Sequence, residues 1–264
     1  MDAAQASPAD HVQPLADRLW RAVQERRAIT PLTAEHPGLT VDAAYDIQDR
    51  VVAHHLAKGA TVTAAKLGLT SAVKQRQMNV SEPLYGWLTD GMLLPAGNLL
   101  EVGRFIQPRV EPEIAFGTAR DLDGPGVTTA AVLAATEWVA PAIDVLDSRF
   151  TGYRFTLADV TADNSSAAAY ALGSPVEPAG DLRLTGCVFT KNGELVATAA
   201  GAAVMEHPAA AVAWFVRKLH DRGGGLPAGS VVLAGALTAA VPIAPGDTVT
   251  AEFDRVGAVT VVGY

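Results

Sequence analysis

The chain has one cysteine, Cys187, in 264 residues. A single thiol excludes an intramolecular disulfide and any cysteine-built metal site. No apolar run approaches the roughly 18 residues that a membrane-spanning helix requires, so no membrane partner is expected. Positive charge is scarce: 20 Lys plus Arg stand against 28 Asp plus Glu, a formal net charge of −8. That balance argues against nucleic acid as the main partner. The six histidines form no HExxH or His-x3-His spacing, and adjacent His54 and His55 would face different directions on a helix, so they read as surface residues. Arg222-Gly-Gly-Gly225 is glycine-rich but lacks the Lys-Ser/Thr that completes a phosphate loop. Met1 to Asp10 carries neither a basic nor an apolar leader pattern, and a cytoplasmic location is the expectation. Repeats and low-complexity tracts are missing too. With 49% hydrophobic and 18% charged residues, the chain is neither disordered nor fibrous and can bury a substantial core.

Three zones can be read along it. From Leu15 to Gly59 the pattern is helical: Leu15, Leu19 and Val23 recur every four residues, as do Ala43, Ile47 and Val51. Thr40 or Asp42 suits the start of the second helix and Gly59 its end. From about Thr61 short apolar runs alternate with Gly and Pro. Strands are predicted over Arg109–Phe116, Arg183–Thr190, Ser230–Leu233, Asp247–Phe253 and Ala258–Val262, with Lys191-Asn-Gly-Glu194 as a tight hairpin. Helices are predicted from Thr128 to about Trp138 and from His207 to about Asp221, the second with Pro208 in its first turn. Many strands with little βα alternation indicate an α+β chain with a dominant, bent sheet. The expected division is a helical region over 1–60 and a catalytic domain over 61–264.

Four segments can carry chemistry. In a strand over Arg109–Phe116, Arg109, Glu111 and Glu113 share one face and Val110, Ile114 and Phe116 the other. The two glutamates can converge on a cation, or can be ordinary charges on an exposed face. Pro112 removes a ladder donor and predicts an edge or a bulge. Asp144 lies within the apolar run Val139–Leu146, where an unpaired charge is costly, so a partner or a metal is expected. Three carboxylates without His or Cys form a hard oxygen donor set, suited to Mg²⁺ or Mn²⁺ rather than zinc. Lys66, between Ala-Ala and Leu-Gly-Leu, is either a buried ammonium or one that snorkels to water. Val160–Ser166 reads as a turn.

In this order, Lys66-Leu-Gly-Leu-Thr-Ser71, Glu82-Pro-Leu-Tyr-Gly86, Pro108–Phe116, Ala134-Ala-Thr-Glu-Trp138 with Pro141–Arg149, and Ala162-Asp-Asn-Ser-Ser166 resemble the fumarylacetoacetate hydrolase superfamily. The likeness runs from Leu15 to Val262 and is strongest to the branch holding the 2-keto-4-pentenoate hydratases and 4-oxalocrotonate decarboxylases of aromatic meta-cleavage. It implies a small helical N-terminal region before a mixed, coiled β-roll. It also implies a divalent metal, usually Mg²⁺, on Glu111, Glu113 and Asp144, the last a departure from the glutamate more usual there. Lys66 falls on the family's active-site lysine and Ser166 on its substrate-contacting serine.

Hydratases of the branch carry Pro-Asp-Phe-Gly where this chain has Pro83-Leu-Tyr-Gly86. Leu84 cannot move a proton, so the resemblance favours metal-dependent decarboxylation of 2-oxo-3-hexenedioate to 2-hydroxypenta-2,4-dienoate and CO₂. Ser71-Ala-Val-Lys-Gln75, Asp123-Gly-Pro-Gly126 and Asp147-Ser-Arg-Phe150 point the same way. The hydratase reaction is the alternative, and a non-catalytic partner subunit a further one; a 1,3-diketone hydrolase is disfavoured by the lack of a His-Glu pair beside these motifs. On this reading Leu84 and Tyr85 keep water from the distal end of the substrate. Lys74 is a candidate for its distal carboxylate, and Arg149 either clamps a carboxylate or supports the acidic site. The implied partners are a 2-oxo acid, further copies of the chain in a homo-oligomer, and a hydratase of the same pathway.

Overall fold

The computed structural model describes residues 8–71, 75–76, 80 and 82–264. Two helices open the chain, α1 (Pro8–Glu25) and α2 (Val41–Leu56). Thr40 caps α2, its side chain accepting from the Ala43 amide at 3.2 Å. The helix buries Ala44, Ile47 and Val51 along one stripe. Against that stripe pack Leu15, Ala16 and Leu19 of α1, together with Phe150, Ala158 and Ala162 from the middle of the chain. The N-terminal helices thus share their core with the segment that borders the site.

The remaining elements are β1 (Val62–Gly68), β2 (Leu84–Thr89), β3 (Leu99–Leu100), β4 (Arg109–Thr118), α3 (Thr129–Ala135), β5 (Thr136–Leu146), α4 (Leu157–Ala162), β6 (Ala167–Leu172), β7 (Gly186–Lys191), β8 (Glu194–Ala200), α5 (Pro208–Asp221), β9 (Val231–Leu233), β10 (Val241–Pro242), β11 (Thr248–Phe253) and β12 (Gly257–Gly263). Among the described residues they form a seven-stranded sheet, β2-β1-β9-β4-β5-β6 with β10 also on β4, and a five-stranded sheet, β3-β12-β11-β7-β8. The β1–β9 and β12–β3 pairs are parallel and the rest antiparallel. The main core lies between the two sheets and under α5. This is the α+β fold expected, a small helical N-terminal region on a mixed, curled sheet. None of the described helices is long and apolar enough to cross a membrane.

Local signals explain most element ends. Asn192 (φ 54°) and Gly193 (φ 80°) both take left-handed conformations in the β7–β8 turn, as a tight primed hairpin requires. Pro208 opens α5, where its missing N–H costs nothing, and His207 caps it through an Nδ1 that accepts from Ala209 at 3.0 Å.

Three expectations are corrected. The helix predicted to reach Trp138 stops at Ala135, and β5 begins at the next residue. The segment beyond it, with Trp138, Val139 and Pro141, suits an extended chain. The strand predicted from Arg183 begins at Gly186, because Asp181 accepts from the Arg183 amide and Leu182–Leu184 forms a short 3₁₀ turn. Pro112 marks neither an edge nor a bulge. β4 lies inside the sheet, and Pro112 pairs with Ile143 where the opposite flank passes from β9 to β10. Its carbonyl accepts from Leu237 at 3.0 Å on that flank, the side its absent N–H would have faced.

His55 also departs from the surface reading. It is half-buried, with Trp20 edge-on at 4.8 Å. Burial, reinforced by Arg149, Lys58 and His54, lowers its pKa to about 4. The unfolded chain then takes up this proton near pH 6.5 while the native chain resists it. This contribution to stability is complete above pH 6.5 and declines as pH falls toward 4. Urea unfolding at pH 7 and pH 5 should show a smaller pH difference for His55→Gln than for wild type.

Candidate metal and active site

The site is assembled on facing positions of β4 and β5. Glu111 pairs in register with Asp144, and Glu113 lies two residues along β4 on the same face. One carboxylate oxygen from each of the three lies within 4.8 Å of the other two, and all three side chains are buried. Lys66 comes from β1, three places away in the order β1-β9-β4-β5. Across a flat sheet that is about 14 Å between strands, too far for a lysine and an aspartate to meet. The curl closes the gap: Lys66 Nζ lies 2.7 Å from Asp144 Oδ2 and donates to the Ser165 carbonyl at 3.0 Å. Lys66 is 1% exposed, so it does not snorkel.

β9 ends at Leu233, and the chain turns at Gly235 (φ 110°), a left-handed position that favours glycine. Its N–H donates to Glu113 Oε2 at 2.7 Å. Glu113 Oε1 is buried with no hydrogen-bond partner among the described residues. A native carboxylate oxygen in that state requires an explanation, and an ion between the three acids supplies one. Burial, then Asp144 and Glu111, raise the Glu113 pKa well above the ordinary carboxylate value, against the lowering effect of Lys66 and the Gly235 amide. Burial would lower the Lys66 pKa, but Asp144, Glu111 and Glu113 outweigh it and hold it above the ordinary lysine value. The donor set is all oxygen, anionic and inward-facing. It fits a hard divalent cation on Glu111, Glu113 and Asp144.

A pocket of about 330 Å³ opens onto this cluster and includes Lys66, Leu84, Arg109, Glu111, Tyr153 and Ser166 in its wall. The serine side is more elaborate than the predicted turn. α4 begins with a reciprocal cap between Thr156 and Asp159. After it, Asn164, Ser165 and Ser166 take φ of 50°, 55° and 55° in succession, a strained run for non-glycine residues. The surroundings over-determine it. The Asn164 side chain accepts from the Trp87 amide and donates to the Trp87 carbonyl, both at 2.8 Å, as a strand neighbour would. Gly86 leaves room for that approach, since a Cβ there would sit 2.4 Å from the Asn164 carbonyl. Ser166 Oγ is 3.4 Å from Asp163 Oδ2 and lies in the pocket wall, next to Ser165.

Not every candidate gathers here. Leu84 faces the pocket and is buried. Tyr85, the next residue of β2, points the other way, stacked on Tyr45 at 4.7 Å and against Phe215 at 5.1 Å. Successive strand residues cannot share a face, which corrects the role expected for Tyr85. Arg149 is buried but outside the pocket wall. Its guanidinium pairs with Asp163 and donates to the Asp147 and Ala167 carbonyls at 2.8 and 3.2 Å. These contacts tie Arg149 to the serine turn rather than to either role expected of it, a carboxylate clamp or a partner of the acidic cluster. Lys74 lies outside the described residues. Ser165, Asn164 and Tyr153 join the site without an expected role, and no sequence motif points to Tyr153. Arg109 was legible on the face of Glu111 and Glu113 but was given no part.

Known proteins agree with this architecture. Residues 52–262 match the family model described as fumarylacetoacetate (FAA) hydrolase, C-terminal. A 4-oxalocrotonate decarboxylase of Pseudomonas sp. (strain CF600) is 41% identical over 92% of this chain and 93% of that protein. A 2-hydroxyhexa-2,4-dienoate hydratase of Comamonas testosteroni is 40% identical, covering 93% of both. Among solved structures, the 4-oxalocrotonate decarboxylase from Pseudomonas putida G7, complexed with magnesium and adipate, superposes with a TM-score of 0.94. It is 36% identical over 98% of this chain and 99% of that one. With a family match over most of its length and relatives this similar end to end, the chain belongs to the fumarylacetoacetate hydrolase family, alongside its 4-oxalocrotonate decarboxylases and dienoate hydratases.

Proposed function

We propose that the protein is a carboxy-lyase that converts 2-oxo-3-hexenedioate to 2-hydroxypenta-2,4-dienoate and CO₂, with Mg²⁺, or Mn²⁺ in its place, on Glu111, Glu113 and Asp144. The observation that carries the choice of reaction is Leu84, 1% exposed and in the pocket wall where a hydratase of this branch would place an aspartate. Identity alone does not separate the two reactions, since decarboxylase and hydratase relatives stand at 41% and 40%. The solved relative with magnesium and adipate supports both a divalent cation and a dicarboxylate ligand.

When bound, the cation supplies Lewis acidity to the 2-oxo acid head. Loss of CO₂ from the distal end sends an electron pair through the carbon–carbon double bond to the 2-oxo oxygen, which takes up one proton from solvent to become the 2-hydroxyl of the product. Lys66, its ammonium 2.7 Å from Asp144 beside the acidic cluster, is placed to stabilise that developing charge. Ser166 donates to the substrate carboxylate. Leu84 keeps water from the distal end, where a desolvated carboxylate loses CO₂ more readily.

The hydratase reaction remains the second reading, on the strength of the Comamonas relative. A non-catalytic partner role is disfavoured by the buried acid–lysine cluster. Self-association is supported by exposed apolar side chains on the edge strand β8 and its neighbour β7, Leu195 at 65%, Val196 at 39% and Val188 at 41%. A complex with a hydratase fits a product that such an enzyme would consume.

Incubation with Mg²⁺ and each substrate decides the reaction. CO₂ release from 2-oxo-3-hexenedioate without hydration of 2-hydroxypenta-2,4-dienoate is expected. Hydration of the second without CO₂ from the first would make the protein a hydratase.

A further inference from the structure

Two cations line the described wall of the pocket, Lys66 and Arg109. Lys66 is committed to Asp144 and the Ser165 carbonyl. Arg109 has no carboxylate within ion-pair distance among the described residues. Its guanidinium lies instead over the ring of Tyr153, 4.1 Å from the centroid. Tyr153 is itself fixed, its hydroxyl donating to the Leu146 and Gln107 carbonyls at 3.1 and 3.2 Å. A guanidinium stacked on an anchored ring keeps its edge N–H groups in a set plane, ready for a planar anion.

Its place along β4 gives the size of that anion. Arg109 is two residues before Glu111 on the same strand face, about 7 Å away along the strand. The carboxyl carbons of an extended six-carbon dicarboxylate are separated by five carbon–carbon bonds, about 6 Å. A six-carbon 2-oxo acid whose head lies at the acidic cluster is therefore long enough to span the strand spacing from Glu111 to Arg109, and both residues line the same pocket.

We infer that Arg109, held on Tyr153, is the specificity-determining residue that receives the distal carboxylate of a dicarboxylic 2-oxo acid. This rests on the 2-oxo acid reading above and adds the residue that separates dicarboxylic from monocarboxylic ligands. Fork-shaped pairing with a carboxylate gives direction as well as affinity, so Arg109 also sets the orientation of the group to be lost.

The test is calorimetric binding of 2-oxohexanedioate and 2-oxohexanoate to the full chain in Mg²⁺. These two ligands differ in the distal carboxylate. Wild type is expected to prefer the dicarboxylate by about tenfold or more, the usual scale for hydrogen bonds to a charged group. Arg109→Met should erase that preference while leaving 2-oxohexanoate within about twofold, and Arg109→Lys should restore part of it. An equal loss for both ligands, or a preference that survives in Arg109→Met, overturns the assignment. If wild type binds neither ligand, the 2-oxo acid reading itself fails, and the wild-type titration alone reveals it.

Discussion

Glu113→Gln is expected to lower turnover by about 10²–10³-fold, since a bound Lewis acid contributes several kcal/mol of transition-state stabilisation. The same substitution should leave the cation-free protein at least as stable as wild type. Burial and two acidic neighbours make ionised Glu113 costly, and a glutamine keeps an oxygen for the Gly235 N–H while removing the charge. The response to cation should separate the two proteins. At a hundredfold excess over Kd, a ligand specific to the native state adds about 2.7 kcal/mol, roughly 5–10 °C in a chain of this size. Thermal melts in chelator and in Mg²⁺ should show that rise for wild type and little of it for Glu113→Gln. A variant inactive through misfolding would melt lower in both conditions.

Lys66→Met is expected to act in the opposite sense on the cation-free protein. It removes the ammonium 2.7 Å from Asp144 and leaves a buried acid cluster less well compensated. Breaking a buried ion pair from one side costs about 3–5 kcal/mol. Denaturant unfolding in chelator should reveal a loss on that scale, reduced when Mg²⁺ is present. Turnover should fall by about 10²–10³-fold even at saturating Mg²⁺, the usual effect of removing one preorganised group from a developing oxyanion. An activity unchanged in the metal-saturated variant would place the stabilising charge elsewhere. The contrast between these variants, one relieving repulsion and one increasing it, distinguishes a metal centre from a salt-bridged structural core.

Much of the site was legible because strand and charge patterns are local. Period-two alternation placed Arg109, Glu111 and Glu113 on one face, and an acid inside an apolar run marked Asp144. What remained hidden depends on pairing between distant segments. No local pattern states that Glu111 faces Asp144 across the β4–β5 register, or that a curled sheet brings Lys66 from β1 to β5. Leu84 and Tyr85 were both assigned to the pocket, although neighbours in a strand diverge; without the phase of β2 the sequence does not say which one enters. The left-handed run Asn164–Ser166 contains no glycine to announce it. It is imposed from outside, by the Asn164 bonds to Trp87 and by the Arg149–Asp163 pair. In the fold, helix caps and the Asn192-Gly193 turn were readable. The direct passage from α3 into β5 was not, because the sheet overrides an alanine-rich helical tendency at Thr136.

On the proposed function, Glu111, Glu113 and Asp144 hold one divalent cation inside the curled sheet. Titration of the cation-free chain with Mn²⁺, followed by the loss of the free-ion paramagnetic resonance signal, measures this directly. One ion per chain is expected, displaced by Mg²⁺ and lost in both Glu111→Gln and Glu113→Gln. Failure of wild type to take up Mn²⁺, or equal uptake by wild type and the two variants, would contradict a cation on these three residues.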